Sequence, residues 1–173
     1  MAGKGTVMTM PVSEKNFLEK IASYIPGVAG YREREGRRET DRRVREFLAG
    51  RLDEGRAGLT ALRNVATDAG ELKALDSIGR LDRILQKSVS SLRYADYGFS
   101  GLFDQVKIRE AELDQIHAYD AALVADVVAL ADALCAAGGA TLDGASILAL
   151  SASAEQLDLK IARRREIFEK PTA

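Results

Sequence analysis

Residues 44–66 read VREFLAGRLDEGRAGLTALRNVA, and the spacing of their apolar side chains decides the fold class. Val44, Leu48, Leu52, Leu59, Leu62 and Ala66 succeed one another at steps of four, four, seven, three and four. Such steps keep returning to one face of a 3.6-residue helix, so the stretch reads as the core-facing seam of a long helix. That helix is expected to begin after Gly30 or Tyr31 and to run to about Ala66. Gly50, Gly55 and Gly58 interrupt it, each at a cost of about 1 kcal/mol against Ala in an exposed helix interior. Close approach of a neighbouring backbone at small residues accounts for them better than a hinge does.

Immediately beyond, Asp68-Ala69-Gly70-Glu71 combines a glycine stop with an Asp cap and a Glu three residues on. The next helix is expected over Glu71 to about Tyr94, with Leu72, Leu75, Ile78, Leu81, Leu85, Val89 and Leu92 on its buried face. A tight turn at Gly70 folds the two into a long antiparallel hairpin. Without a break they fuse into a rod on the order of 90 Å at 1.5 Å per residue; the hairpin is the preferred reading.

A fourth helix is expected from about Leu102 to Ala137, with Val106, Ile116, Leu123, Val127, Leu130 and Leu134 among its apolar positions and Gly138-Gly139 as its stop. A fifth runs from near Leu142 to near Lys170, re-capped by Ser153 with Gln156 at N3. Ahead of the long seam, Ser13 caps a short helix whose Phe17, Leu18, Ile21, Tyr24 and Ile25 share a face, and Pro26-Gly27 ends it. Residues 1–12 lack periodicity and read as a loose tail. The prolines are Pro11, Pro26 and Pro171 only, so nothing between the last two is barred from helix by a missing N–H. The fold class is therefore all-α. We expect an elongated antiparallel bundle of about five helices, with coiled-coil-like seams, in one domain over residues 13–170.

Hydrophobic residues at 46% and charged residues at 29% suit a folded globular chain. The single cysteine, Cys135, lies in an Ala- and Leu-rich run and reads as a buried, inert thiol. The first dozen residues hold no continuous apolar core of an export signal. The most apolar run, Ala121–Ala137, is broken by Asp126 and Asp132, which a membrane span tolerates poorly. The expected location is the cytoplasm.

Charge is segregated. Residues 1–109 hold 20 basic and 15 acidic side chains, residues 110–159 nine acidic and no basic ones, and residues 160–173 five basic and two acidic. Arginines concentrate at Arg32, Arg34, Arg37, Arg38, Arg42, Arg43 and Arg45, and again at Arg163, Arg164 and Arg165. The plain reading sets the Arg-rich helix beside the acidic fourth helix, within one chain or across a dimer, while Glu33, Glu35, Glu39 and Glu46 form i,i+4 pairs. The functional reading gives Arg37, Arg38, Arg42, Arg43 and Arg45 to an anion or an anionic lipid surface, with the short first helix beside them. Nucleic acid is disfavoured, because the interleaved acids dilute any basic face and no base-stacking motif is recognisable.

Chemistry-bearing spacings are sparse. Glu110, Asp114 and His117 share a helix face, yet one His cannot build a four-helix di-iron site, and a solvated acidic face is the simpler reading. Glu166-x-x-Glu169 is the one magnesium-type pair, without a second to complete it. No phosphate loop, zinc helix or dinucleotide fingerprint is present, so no cofactor and no catalytic residue is assigned. Tyr94, Tyr97, Phe99 and Phe103 cluster among Gly98 and Gly101. They either plug the end of the bundle, against Tyr24 or Tyr31, or anchor a protein partner. The expectation is a non-enzymatic helical scaffold or adaptor that self-associates and binds a partner protein. The alternatives are a peripheral membrane-surface protein and a helical enzyme holding a metal or phosphate ligand.

Overall fold

The computed structural model describes Ile21, residues 23–25, 34–94, 110–139 and 143–169, the side chains of 34–38, 110–117, 165 and 167–169 excepted. Four helices and no strand occur among these residues: α1 (Arg34–Asp68), α2 (Leu72–Arg93), α3 (Glu110–Ala137) and α4 (Gly144–Glu169). The helix expected before Pro26 lies almost wholly outside the described residues, although Ile21 and Ile25 join the core and Tyr24 meets Phe47 with ring centroids 6.3 Å apart.

The apolar seam that opens the sequence reading is the spine of the bundle. Val44, Leu48, Leu52, Leu59, Leu62 and Ala66 are all buried, as are Ile78, Leu81, Leu85, Val89 and Leu92 of α2. Leu72, expected on the same buried face, is 77% exposed; as the first residue of α2 it sits at the end of the bundle, where no neighbouring helix covers it.

α1 packs along α2 and α3, and α4 closes the bundle against the same two helices, leaving α1 diagonal to α4 and α2 diagonal to α3. Contacts fix the directions. Arg56 to Asp82 (2.8 Å) and Arg93 to Asp53 (2.6 Å) run α2 antiparallel to α1. Arg51 to Asp132 (2.6 Å), with Gly58 against Leu134 and Cys135, runs α3 parallel to α1. Lys160 to Asp126 and Arg164 to Asp120, both 2.6 Å, run α4 antiparallel to α3.

The reversal between α1 and α2 is a Schellman turn. Gly70 takes φ +69°, its N–H reaches the Thr67 carbonyl (3.1 Å) and the Glu71 N–H reaches the Ala66 carbonyl (2.9 Å). Two expected caps are corrected here. Asp68 is the last residue of α1, and Glu71, which precedes α2, makes no side-chain cap bond. At the other junction Asp143 caps α4, its carboxylate accepting from the Ala145 and Ser146 backbone N–H groups and the Ser146 hydroxyl. Those bonds, the hydroxyl's foremost, hold the Asp143 carboxyl below its ordinary value. The Ser153 hydroxyl instead donates to the Ala149 carbonyl inside a continuous helix, so no re-capping occurs.

The glycines of α1 divide. A Cβ on Gly55 would lie 3.0 Å from Leu134 Cδ1 and 3.1 Å from Ala131 Cα, and one on Gly58 would overlap the Leu134 carbonyl. Gly138 in turn would bring its Cβ to 3.0 Å from Gly58 Cα. These residues let α1 and α3 approach backbone to backbone. Gly50 meets nothing within 4 Å, so close approach does not account for it.

Urea denaturation separates the two kinds of glycine. Gly58→Ala should lose about 1–3 kcal/mol or more to overpacking, whereas Gly50→Ala should gain up to about 1 kcal/mol from helix propensity. The pH dependence of the α1–α2 contact is also testable. The Arg56 hydrogen bond, with its charge and that of Arg63, holds the Asp82 carboxyl below the ordinary 3.8 against the opposing effect of burial. A carboxyl lowered on folding stabilises above its unfolded value and ceases to as pH falls through the folded one. The stability advantage of the wild type over Asp82→Asn should therefore be full above about pH 5 and vanish in stronger acid.

Candidate functional site

The core of this bundle is not wholly apolar. Asp41, Arg45, Asp120 and Arg164 are 5% exposed or less and join into one chain of ion pairs. Arg164 Nε and Nη2 donate to the two oxygens of Asp120 (2.6 and 2.9 Å), and Nη2 also reaches Asp41 Oδ1 at 2.6 Å. The second Asp41 oxygen accepts from Arg45 Nε at 2.9 Å, and Arg45 Nη1 donates to the Leu92 carbonyl at 3.0 Å. Every helix contributes: α1 supplies Asp41 and Arg45, α2 a carbonyl of its last turn, α3 Asp120 and α4 Arg164.

Local sequence explains why these charges point inward. Asp41 stands three residues before Val44 and seven before Leu48; Asp120 stands three before Leu123 and seven before Val127. Arg164 follows Ile161 by three and Leu157 by seven. All lie on apolar stripes at helical spacing. A helix end assists at one point, because Arg45 meets the Leu92 carbonyl in the carbonyl-rich last turn of α2.

Burial is the largest influence on the Arg164 guanidinium and disfavours its charged form, but the charges of Asp120 and Asp41 and their hydrogen bonds outweigh it. The net shift is upward, so Arg164 keeps its proton. Among the described residues two cations thus face two carboxylates. Such a group orders helices.

The arginines assigned to an anion or lipid surface part company. Arg45 is corrected to an interior residue, since its side chain is 6% exposed and held by Asp41. Arg42 pairs with Glu46 (2.9 Å) and Arg43 with Glu39 (2.8 Å), both along the outside of α1. The side chains of Arg37 and Arg38 lie outside the described residues, as do those of Glu110, Asp114, His117 and Glu169. Of the aromatic corner, Tyr94 is 78% exposed at the C-terminal end of α2, and Tyr97, Phe99 and Phe103 lie outside the described residues. Cys135, expected buried, is exposed, with Sγ 3.7 Å from the Glu54 carbonyl. It sits one helical step beyond buried Leu134, on the flank of the stripe. Asp126 pairs with Lys160 and Asp132 with Arg51. No group of three or more metal-ligating side chains occurs among the described residues, and no helix there is long and apolar enough to cross a membrane.

The feature that sequence periodicity missed is on the outside. α1 and α2 are amphipathic in the ordinary sense, with outer positions such as Arg42, Glu46, Arg80, Arg83 and Lys87. α3 and α4 are not one-sided. Opposite its buried stripe α3 exposes Ala118, Ala122, Ala125, Ala129, Ala133 and Ala136. α4 exposes Leu148 and Leu159, at 73% and 69%, with Ala145, Ala149 and Ala152. Between the two helices run two adjoining clefts of about 520 and 540 Å³ that share Ala133, Leu150 and Ser153. The Lys160–Asp126 pair stands at one end of this seam and the Asp143 cap at the other.

Removing one partner from the buried cluster strands a desolvated charge, which costs about 3–5 kcal/mol. Arg164→Met should lower the unfolding free energy by that amount in urea, while Arg42→Met, on the outer face, should change it by no more than about 0.5 kcal/mol. No family model, curated protein or solved structure matches the chain.

Proposed function

We propose that this chain is a helical scaffold or adaptor that self-associates and binds a partner protein, working through its surface rather than by catalysis. The observation that carries the reading is the exposed alanine stripe of α3, together with the exposed Leu148 and Leu159 of α4. Helices that are apolar on two sides are interior helices in a larger assembly, since an amphipathic surface helix needs only one such stripe. Here one side is used by α1 and α2, and the other faces outward with Leu148, Leu159 and six alanines. The exposed Tyr94 ring, at the far end of α2, is the described part of the aromatic corner that we assign to the protein partner. On this view the full chain is an elongated bundle of about five helices in the cytoplasm, with the Gly70 hairpin as its spine.

Light scattering over a concentration series tests the reading directly. The mass should exceed the 18.7 kDa of one chain and rise with concentration toward a defined multiple; a strict monomer throughout would remove self-association.

A further inference from the structure

Ion pairing is the rule for the cations of this chain, and α2 holds the exception. Among the described residues Lys73, Arg80 and Arg83 meet no carboxylate; Arg80 Nη2 has the Ser77 hydroxyl, at 3.5 Å. Every other cation whose side chain is described, Arg163 excepted, pairs with an Asp or a Glu. At about 100° per residue, Lys73, Arg80, Arg83, Lys87 and the following Tyr94 fall inside an arc of about 80° on the outer face of α2, and all five are exposed. Acids are fewer there. Asp76 lies on the arc, Asp158 of α4 is engaged by Lys87 at 2.6 Å, and Glu155 stands three residues before Asp158 on the α4 flank. On the α1 flank Arg56, Arg63 and Arg93 share Asp53 and Asp82. As a whole α2 carries five basic and two acidic side chains, whereas α3 carries six acidic and no basic ones.

We propose that this face of α2 docks an acidic segment of a different protein, with Tyr94 as the aromatic contact at its end. The assignment rests on the partner binding proposed above and adds the surface and the partner's charge. Complementary charge steers such an encounter and fixes its register, and an exposed tyrosine supplies contact area. Other occupants fit less well. Every exposed residue of α2 between Leu72 and Tyr94 is charged or polar, and its apolar stripe is taken up by the core, so the arc has nothing to seat in a bilayer. A phosphate backbone, charged at every step, would run over Asp76, whereas a peptide can set its carboxylates around it. A second copy does not supply the acids either. The described carboxylates of α3 are engaged within the chain, Asp120 by Arg164, Asp126 by Lys160 and Asp132 by Arg51. From Lys73 to Tyr94 the arc runs about 32 Å, enough for a helix of about 20 residues or an extended segment of about ten.

Fluorescence anisotropy of a labelled helical peptide of about 20 residues, with Glu at every third or fourth position, tests this against the full chain. The wild type should bind it, and less tightly at about 150 mM salt than at about 20 mM, because screening then acts over about 8 Å. Arg80→Glu/Arg83→Glu should weaken binding by about 10-fold or more. Arg42→Glu/Arg43→Glu changes the net charge equally but on the outside of α1, and should weaken it by less than about 3-fold. Circular dichroism checks that each variant is folded, and Arg80→Gln/Arg83→Gln, expected to lose about 3-fold or more, takes the place of a reversed-charge variant that is not. No binding of the peptide at low salt, or an equal loss in the α1 and α2 variants, overturns the α2 site and leaves the self-association read by light scattering standing. Vesicles containing phosphatidylserine and a DNA duplex complete the test. Should either bind through Arg80 and Arg83 where the peptide does not, the face belongs to lipid or nucleic acid and the proposal is overturned.

Discussion

Four charges inside the bundle set the terms for everything around them. A carboxylate or guanidinium removed from water is costly by several kcal/mol unless its partner and its hydrogen bonds are in place. Asp41, Arg45, Asp120 and Arg164 meet that condition only when all four helices arrive at the same level. Leucine and alanine seams alone tolerate a slide of one helical turn, because the apolar pattern repeats. The cluster does not tolerate it: moving α4 by one turn takes Arg164 about 5.4 Å from both acids. The ion pairs therefore contribute register more than net stability. The rest of the packing inherits that register, including the second polar tie at mid-bundle, where Asp158 accepts from Lys87 (2.6 Å) and from the buried Ser88 hydroxyl (3.2 Å).

Register in turn explains the glycines. With α3 fixed lengthwise against α1, Gly55 and Gly58 come opposite Ala131 and Leu134, and Gly138 comes opposite Gly58. The two backbones close up there, so α3 buries its inner stripe against α1 with little room to roll. Its alanine stripe is left pointing outward for the same reason. A rotation that buried those alanines would swing Asp120 out of the cluster and Leu134 away from Gly55. The outer apolar face is thus a consequence of how the inside is pinned, not an independent accident of composition.

How far the sequence could be read follows from how one-sided each helix is. In α1 and α2 a single apolar stripe marks the core, and the residues from Val44 to Ala66 and from Ile78 to Leu92 are buried as their spacing requires. Gly70 was legible as a stop because a positive φ suits glycine, and Gly138 because a second glycine follows it. In α3 and α4 periodicity loses its power, since two apolar faces cannot be ranked by spacing alone. Cys135 was misplaced for that reason, and Leu148 and Leu159 gave no warning of their exposure. The charge cluster was concealed differently. Arg45 looked like one more member of an arginine run, and Arg164 like the middle of a tail of three. The signal was present nonetheless: each sits three or four residues from a core position, as do Asp41 and Asp120. Opposite charges on apolar stripes of different helices are the pattern to search for.

The division of labour between the two halves of the chain bears on how an assembly would form. Among the described residues the buried Asp41, Arg45, Asp120 and Arg164 find their partners within one chain, so association is not needed to pair them. What the exposed alanine stripe of α3 lacks is apolar cover, and covering it demands no exchange of helices. Association of that kind adds hydrophobic burial to a preformed surface, where little ordering of the chain opposes binding. It also leaves the charged outer faces of α1 and α2, and the Tyr94 end, on the perimeter. A scaffold needs that separation: one surface for its own kind, and others still open to a different protein.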